Sequence, residues 1–175
     1  SGSGKTTIAG TVAPHIGAPP GARIIESDRV RKAMFGVAAD TRLAANAYLP
    51  AVSAQVYGLM LERSQRVLRR GDSVVAAAVF DRPDSRLDIE RSARGTGAFF
   101  TGIWLDAGPA LLKQRIGDRK SGPSDATVEV LEKQLQRGAG EISWTKVDVG
   151  GTISATVDAV LAVIGRPLES DAGKS

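Results

Sequence analysis

The first seven residues constrain the fold of this chain more than any other stretch. Gly4, Lys5 and Thr6 match the last three positions of the pattern G-x-x-x-x-G-K-[ST], a glycine-rich loop that cradles phosphate groups and leads into a helix. Glycines let successive backbone N–H groups turn inward around phosphate oxygens, where a Cβ atom would obstruct them. An apolar helical stretch follows over residues 7–13, as the pattern requires. The loop therefore predicts that the chain binds a nucleoside triphosphate.

The chemistry of this loop assigns a role to each part of it. The helix that starts at the loop offers its unpaired N–H groups and the positive end of its dipole to phosphate. Lys5 supplies a mobile charge for the β- and γ-phosphates and is a predicted catalytic residue, while the Thr6 hydroxyl is a predicted Mg²⁺ ligand. We therefore expect ATP and Mg²⁺ as cofactors, with nucleotide-binding residues Ser1, Gly2, Ser3, Gly4, Lys5, Thr6 and Thr7. The alternative is a flexible Gly/Ser leader that contains a lysine, and the apolar helix that follows disfavours it.

The motif also carries an expectation about what precedes it. Counting back, its first glycine falls two residues before Ser1. A phosphate-binding loop normally follows a buried strand at the centre of a parallel sheet. We therefore expect that central strand, and a further domain, upstream of Ser1.

Apolar strands alternate with helices along the rest of the chain. We expect helices over residues 5–15, 29–35, 50–70, 83–93, 110–120 and 150–164, and one more capped by Ser124 or Asp125. The expected strands are 23–27, 73–80, 99–105 and 144–149. This alternation predicts an α/β fold, a doubly wound parallel sheet of the P-loop NTPase and nucleoside-kinase type. With no repeat or internal linker, we expect one domain over residues 1–165 and a flexible tail over 166–175.

Composition narrows the class of protein. Apolar residues at 42% and charged residues at 24% are ordinary for a soluble globular domain, and no apolar run is long enough to span a bilayer. Cysteine is absent, which fits a cytoplasmic protein. The net charge of +4 is not gathered into a block, and aromatic residues are few. We therefore expect a cytoplasmic protein with no nucleic-acid partner and no membrane partner.

Asp28 is the first candidate for chemistry beyond the loop. Ligands of doubly wound sheets bind at the carboxyl ends of the strands, and Asp28 follows the strand expected over 23–27. A carboxylate there is placed to accept the proton of an attacking hydroxyl, which makes Asp28 a predicted catalytic and substrate-binding residue. The alternative is an N-cap for the helix expected over 29–35, and the two roles are compatible.

Arginines supply the remaining candidates. Arg31 and Lys32 follow Asp28 by one turn and either hold an anionic acceptor or lie on a solvated helix face. Arg115 and Arg119 are spaced i, i+4, share a helix face and precede a Lys-Ser-Gly-Pro stretch that we expect to act as a lid. An arginine on a lid neutralises charge on the transferred phosphoryl group, so both are predicted catalytic residues. A solvated pair is the alternative.

The order of these features resembles a known family. The segments that carry the resemblance are the loop at 1–7, Glu26 to Gly36, Tyr48-Leu49-Pro50, Val74 to Pro83 and Ile103 to Asp106. They are similar to bacterial P-loop kinase-like proteins of the AAA family, of the zeta-toxin, gluconate-kinase and polynucleotide-kinase type. The ATP-binding half of bifunctional proteins with an upstream aminoglycoside-phosphotransferase-like domain is the most similar subgroup. The resemblance covers about residues 1–164 and does not extend to the ring-forming AAA+ machines.

The resemblance implies roles for particular residues. It implies that the loop binds ATP, that Asp28 is the base and that Arg31 lies by the acceptor. It also implies a small hydroxyl-bearing acceptor and an upstream aminoglycoside-phosphotransferase-like domain as partners. Relatives usually have an Asp in the third strand, where this chain has Ala77, and the loss of that carboxylate would weaken Mg²⁺ binding. Asp81, just beyond the strand, is the candidate substitute.

Three hypotheses of function follow. The leading one is a kinase that transfers the γ-phosphoryl group of ATP to a hydroxyl of a small molecule. The second is a nucleotide-binding regulatory module of a larger bifunctional protein, with weak or no turnover. The third is a polynucleotide kinase, which the few aromatic residues and the dispersed basic charge disfavour.

The loop motif generates the first testable prediction. In a chain that carries the expected central strand, Lys5→Ala should abolish tight ATP binding, because the charge on the β- and γ-phosphates would then lack its partner. Isothermal titration calorimetry with ATP measures this directly. Unchanged affinity would contradict the phosphate-loop interpretation.

Overall fold

The computed structural model describes residues 1–118 and 124–165, and the expected tail and lid residues 119–123 lie outside these ranges. Its strands are β1 (Arg23–Glu26), β2 (Val74–Ala77), β3 (Ile103–Asp106) and β4 (Thr145–Asp148). Its helices are α1 (Lys5–Val12), α2 (Ser27–Met34), α3 (Pro50–Leu68), α4 (Pro83–Arg94), α5 (Pro109–Gly117), α6 (Val128–Arg137) and α7 (Ile153–Ile164). Short 3₁₀ segments cover Ala13–His15 and Ala45–Tyr48. The predicted alternation of strands and helices is confirmed.

All strand pairing in the described ranges is parallel. β1 pairs with β2 so that Arg23 is opposite Val74 and Glu26 is opposite Ala77. β3 pairs with β4 in the same way, from Ile103 opposite Thr145 to Asp106 opposite Asp148. Within the part of the chain described here, β2 pairs only with β1 and β3 only with β4, so the sheet is divided into two halves.

A cavity of about 850 Å³ lies where the two halves face one another. It is lined by the whole of β2 and β3, by α1 and by Ser1 and Ser3 of the glycine-rich loop. An uninterrupted apolar run such as the strand expected over 73–80 is typical of a strand buried on both faces. That interpretation is wrong here, because the four residues of β2 are only half-buried and one edge of β2 faces this cavity. The cavity occupies the place in which the sequence predicts a central strand.

Helices cover both faces of the sheet. On one face, Ile25 of β1 packs with Val56 and Met60 of α3 in a buried cluster that also contains Phe80. On the other face, Ile8 and Val12 of α1 form a second cluster with residues of β4 and α7, namely Val147, Val157 and Val160. Helix α1 also packs against β1 and β2. The sheet is therefore enclosed by α3 on one side and by α1 on the other.

The helix boundaries follow local capping chemistry. α7 begins after Thr152, whose hydroxyl accepts a hydrogen bond of 3.2 Å from the backbone N–H of Ala155. α6 begins after Thr127 in the same manner, so the prediction that Ser124 or Asp125 caps this helix was wrong. Both side chains instead bond to distant residues, as described below. No helix in the described ranges is both long and apolar enough to cross a membrane.

The divided sheet generates a prediction about stability. A strand of five or six Val and Ile residues, joined to Ser1 through a glycine and one further loop residue, should enter the cavity and raise the melting temperature by several degrees. Each buried aliphatic side chain contributes about 1.5–3 kcal/mol, and a continuous apolar run suits a strand that is covered on both faces. The matched control is a Ser/Gly segment of equal length. Equal melting temperatures in the two proteins, measured by circular dichroism, would contradict the assignment of this cavity to a strand.

Candidate functional site

The glycine-rich loop has the backbone that its sequence predicts. Gly2 and Gly4 have φ of 83° and 79°, a left-handed conformation that disfavours any side chain. A Cβ at Gly2 would also lie 2.7 Å from the carbonyl oxygen of Leu112. α1 begins at Lys5 with no side-chain cap on its first N–H groups and no acidic residue in its first turn. These features leave the positive end of α1 directed at the loop, where an anion is stabilised.

Asp28 lies in the first turn of α2, next to the loop. Burial raises the pKa of Asp28, against the charge of Lys5, a hydrogen bond from the Ser124 side chain and the charge of Arg31. The structure thus places the predicted catalytic lysine and the predicted base within electrostatic reach of one another. α2 already begins at Ser27, after the extended residue Glu26, and no side chain caps it. The capping alternative for Asp28 was therefore wrong.

Arg31 is buried beside Asp28, with 6% of its surface exposed. Its Nη1 donates to the Ala47 carbonyl oxygen at 2.6 Å, and its Nη2 donates to the Ser53 hydroxyl at 3.3 Å. Its guanidinium also stacks over the Tyr48 ring, 4.7 Å from the centroid. Arg31 therefore holds the segment that precedes α3 against α2. The alternative that Arg31 lies on a solvated helix face was wrong. Its Nε is buried without a hydrogen-bond partner in the described ranges.

Asp125 is a residue whose importance the sequence analysis missed. Its Oδ1 accepts from Lys32 Nζ at 3.0 Å, and its Oδ2 accepts from the Leu43 N–H at 2.9 Å and the Tyr48 hydroxyl at 2.5 Å. Lys32 and Asp125 expose 1% and 8% of their side chains. We call this group of four residues the Asp125 cluster. Its contacts span 77 to 93 positions, so no local pattern in the sequence indicates it.

The Asp125 cluster fixes residues 124–125 over the candidate base. Ser124 bonds to Asp28 while its neighbour Asp125 is held by α2 and by the segment that precedes α3. Burial raises the pKa of Asp125, but hydrogen bonds from Tyr48, Leu43 and Lys32 outweigh it, so that the net direction is downward. Asp125 is therefore ionised when it pairs with Lys32. This ion pair holds residues 124–125 in place beside Asp28.

Arg115 lies on a different wall of the loop. Its Nη2 donates to the Val149 carbonyl oxygen at 2.7 Å, which ties α5 to the end of β4. It lines a cavity of about 220 Å³ together with Gly4, Thr7 and Gly151. The structure thus brings Arg115 to the predicted nucleotide loop, where it is bound to a backbone carbonyl. Arg119, its predicted partner, lies outside the described residues.

The side chains near the loop determine whether a metal ion can bind there. The described residues contain no group of three or more His, Cys, Asp or Glu side chains that would hold one. Mg²⁺ bound with a nucleotide does not require such a group, because one or two side-chain oxygens, the phosphates and water complete its coordination. Thr6 is exposed in the first turn of α1, and Glu26 has a buried Oε1 without a partner. Asp81 is ion-paired with Arg137 at 3.1 Å.

The charge of the Asp125 cluster generates a prediction on pH. The folded-state pKa of Asp125 lies below its ordinary value of 3.8, so its contribution to stability is present above that value and is lost as pH falls through the folded pKa. Asp125→Ala leaves Lys32 buried without its partner and should cost about 3–5 kcal/mol at pH 7, as removal of one member of a buried pair does. Urea unfolding at pH 7 and pH 3 measures both effects, and the difference between wild type and variant should shrink at pH 3.

A matched control for that experiment is Glu132→Ala, which removes an exposed ion pair with Lys113. Surface pairs of this kind contribute about 0–1 kcal/mol. A loss in the Asp125 variant no larger than in this control would contradict the proposed structural role of the buried pair.

Comparisons with known proteins identify the fold. The family model described as an AAA domain matches residues 1–139. A gluconokinase from Sinorhizobium meliloti 1021 has a similar structure, with a TM-score of 0.62 at 22% identity, covering 94% of this chain and 86% of that one. A sugar kinase from Janibacter sp. HTCC2649 has a TM-score of 0.60 at 20% identity, covering 94% and 89%. The chain therefore has the P-loop kinase type of α/β fold, as predicted.

Curated relatives are longer than this chain. Uncharacterized proteins of Mycobacterium tuberculosis H37Rv and Mycobacterium bovis are 28% identical to it over 154 residues. The match covers 86% of this chain but only 30% of the relatives. The chain thus corresponds to less than a third of their length.

Proposed function

Because this chain belongs to the AAA domain family, we propose that it is a P-loop kinase that transfers the γ-phosphoryl group of ATP to a hydroxyl of a small molecule. The observation that carries the proposal is that the charge of Lys5, at the start of α1, acts on the half-buried carboxylate of Asp28. A phosphate-binding cation and a candidate base on opposite sides of one site are what phosphoryl transfer to a hydroxyl requires. Asp28 is thereby a catalytic residue in this proposal.

The loop and its neighbours form the nucleotide site in this proposal. The N–H groups of residues 1–7 and the first turn of α1 hold the phosphates, with Lys5 on the β- and γ-phosphates. The cavity lined by Gly4, Thr7, Arg115 and Gly151 adjoins the loop and receives the adenine ring of ATP. The hydrogen bond to the Val149 carbonyl oxygen holds the Arg115 guanidinium at the wall of this cavity. Mg²⁺ would be held by the Thr6 hydroxyl and would neutralise charge on the phosphates.

Transfer proceeds with Asp28 as the general base. The acceptor oxygen bonds to the γ-phosphorus, the bond from that phosphorus to the β–γ bridging oxygen breaks, and the hydroxyl proton passes to Asp28. The raised pKa of Asp28 suits this role, since a stronger base takes the proton more readily. In the structure the Ser124 side chain donates a hydrogen bond to the Asp28 carboxylate. The acceptor hydroxyl would take the place of the Ser124 hydroxyl in this hydrogen bond. The names gluconokinase and sugar kinase, borne by proteins of the same fold, make sugars and sugar acids the first acceptors to test.

A second candidate function is a nucleotide-binding regulatory module with weak turnover. The observation that favours it is Ala77, which ends β2 without a carboxylate beside the phosphate loop. In this case the chain would regulate other parts of a larger protein, and an upstream aminoglycoside-phosphotransferase-like domain remains a prediction. ATP binding without transfer to any acceptor would support this second candidate.

Replacement of the proposed base separates these two functions. Asp28→Asn keeps the shape of the side chain but removes its charge, so phosphoryl transfer should fall by about 10²–10⁴-fold, as loss of a positioned general base does. ATP affinity should change little. Because a raised folded pKa means that ionised Asp28 opposes folding above that pKa, the variant should melt no lower than wild type at pH 7. Single-turnover transfer, calorimetry and thermal melts measure the three quantities.

The exposed Asp106 at the end of β3 provides the matched control, as Asp106→Asn. That variant should retain transfer. A fully active Asp28→Asn protein would remove Asp28 from the mechanism.

A further inference from the structure

Glu26 is a buried carboxylate that the mechanism above does not use. It exposes 6% of its surface at the last position of β1. Its Oε2 accepts a hydrogen bond of 2.6 Å from Arg29 Nε, whereas its Oε1 is buried without a partner in the described ranges. Burial of a carboxylate oxygen without a hydrogen-bond partner costs free energy of folding. A bound ligand that contacts this oxygen would offset that cost.

The pleat of the sheet determines which side Glu26 faces. Its neighbour Ile25 packs with Val56 and Met60 of α3, and Ala76, opposite Ile25, packs against the same cluster. Successive side chains of a strand point to opposite faces. Glu26 therefore lies on the other face of the sheet, which α1 covers.

Ala77 lies on that same face, directly opposite Glu26 in the parallel register. Its side chain is only a methyl group, and Ala77 and Lys5 both line the large cavity. Asp28, two residues beyond Glu26, is within electrostatic reach of Lys5. Glu26 thus lies at the carboxyl end of β1. This is the end of the sheet at which the phosphate loop leads into α1, whose first turn contains Thr6.

We propose that Glu26 supplies, from β1, the carboxylate that orients the water shell of Mg²⁺ in the nucleotide complex, in place of one at Ala77 on β2. Opposite positions of neighbouring parallel strands project side by side, and Glu is one methylene longer than Asp. A carboxylate moved by one strand is displaced by about 4.8 Å, a gap that the longer side chain together with a bridging water can span. This inference rests on the proposed function, since the metal enters with ATP.

Other carboxylates near the loop are less suitable. Asp81 lies four positions past the end of β2 and is already ion-paired with Arg137. Asp28 carries the hydrogen bond from Ser124, and Asp125 is fully engaged by Lys32, Tyr48 and Leu43. Glu26 alone, among the carboxylates discussed for the described residues, combines burial with an oxygen that has no partner.

The test measures how Mg²⁺ changes the affinity for ATP. Calorimetric titrations of ATP into wild type and Glu26→Gln are made in EDTA and in excess Mg²⁺, and Mn²⁺ is titrated into each protein–ATP complex with detection by electron paramagnetic resonance. Wild type should gain affinity with Mg²⁺. Glu26→Gln should bind metal-free ATP like wild type but lose about 10–100-fold in metal affinity, the usual effect of removing a residue that orients metal ligands.

A rescue variant makes the result specific to position. Glu26→Gln combined with Ala77→Asp should recover metal affinity, because the carboxylate returns to the same face from the neighbouring strand. Asp106→Asn is the control and should behave like wild type. Wild-type metal affinity in Glu26→Gln would overturn the proposal for Glu26 while leaving ATP binding intact. Wild-type protein that binds no ATP, with or without Mg²⁺, would instead overturn the proposed function.

Discussion

The packing of α1 against both halves of the sheet is the interaction on which the rest of this structure depends. β2 and β3 do not pair in the described ranges, so side chains must join the two halves. α1 packs on β1 and β2, while its Ile8 and Val12 enter the cluster formed with β4 and α7. The edge-on contact between Phe80 and Trp144, with ring centroids 5.3 Å apart, is a second link. Because α1 begins at the phosphate loop, a ligand on the loop would also stabilise the junction.

The site is built from charges that the fold has removed from water. Glu26, Arg31 and Lys32 are all buried within two turns of chain, and each of them has at least one hydrogen-bond partner. Buried ion pairs of this kind contribute little net stability, but they hold side chains in a single arrangement. In this molecule the arrangement keeps Ser124 on Asp28 and Tyr48 on Arg31. Among the described residues near Asp28 in the chain, Glu26 has a buried Oε1 and Arg31 a buried Nε without a hydrogen-bond partner.

Local sequence predicted those parts of the site that depend on one segment of backbone. The loop glycines adopt left-handed φ because residues without a Cβ tolerate it, and the helix follows from the apolar residues after Lys5. Asp28 was predicted to lie by the loop because the carboxyl ends of parallel strands share one edge, and the charge of Lys5 does act on its carboxylate. The roles assigned to Lys5, Thr6, Asp28 and Arg115 remain predictions. The length of β2 was overestimated because the seven consecutive apolar residues 74–80 indicate burial but not how many of them pair.

The sequence by itself determined the fold class, the position of the phosphate loop and the order of strands and helices. Each of these depends on spacing along the chain, which periodicity and glycine placement record. Only the tertiary structure decided that Asp125 joins Lys32 and Tyr48, that Arg31 is buried, and that Glu26 is opposite Ala77. The physical reason is that hydrogen bonds between residues 77 to 93 positions apart, and the register of two strands separated by a long helix, are set by packing rather than by neighbouring residues.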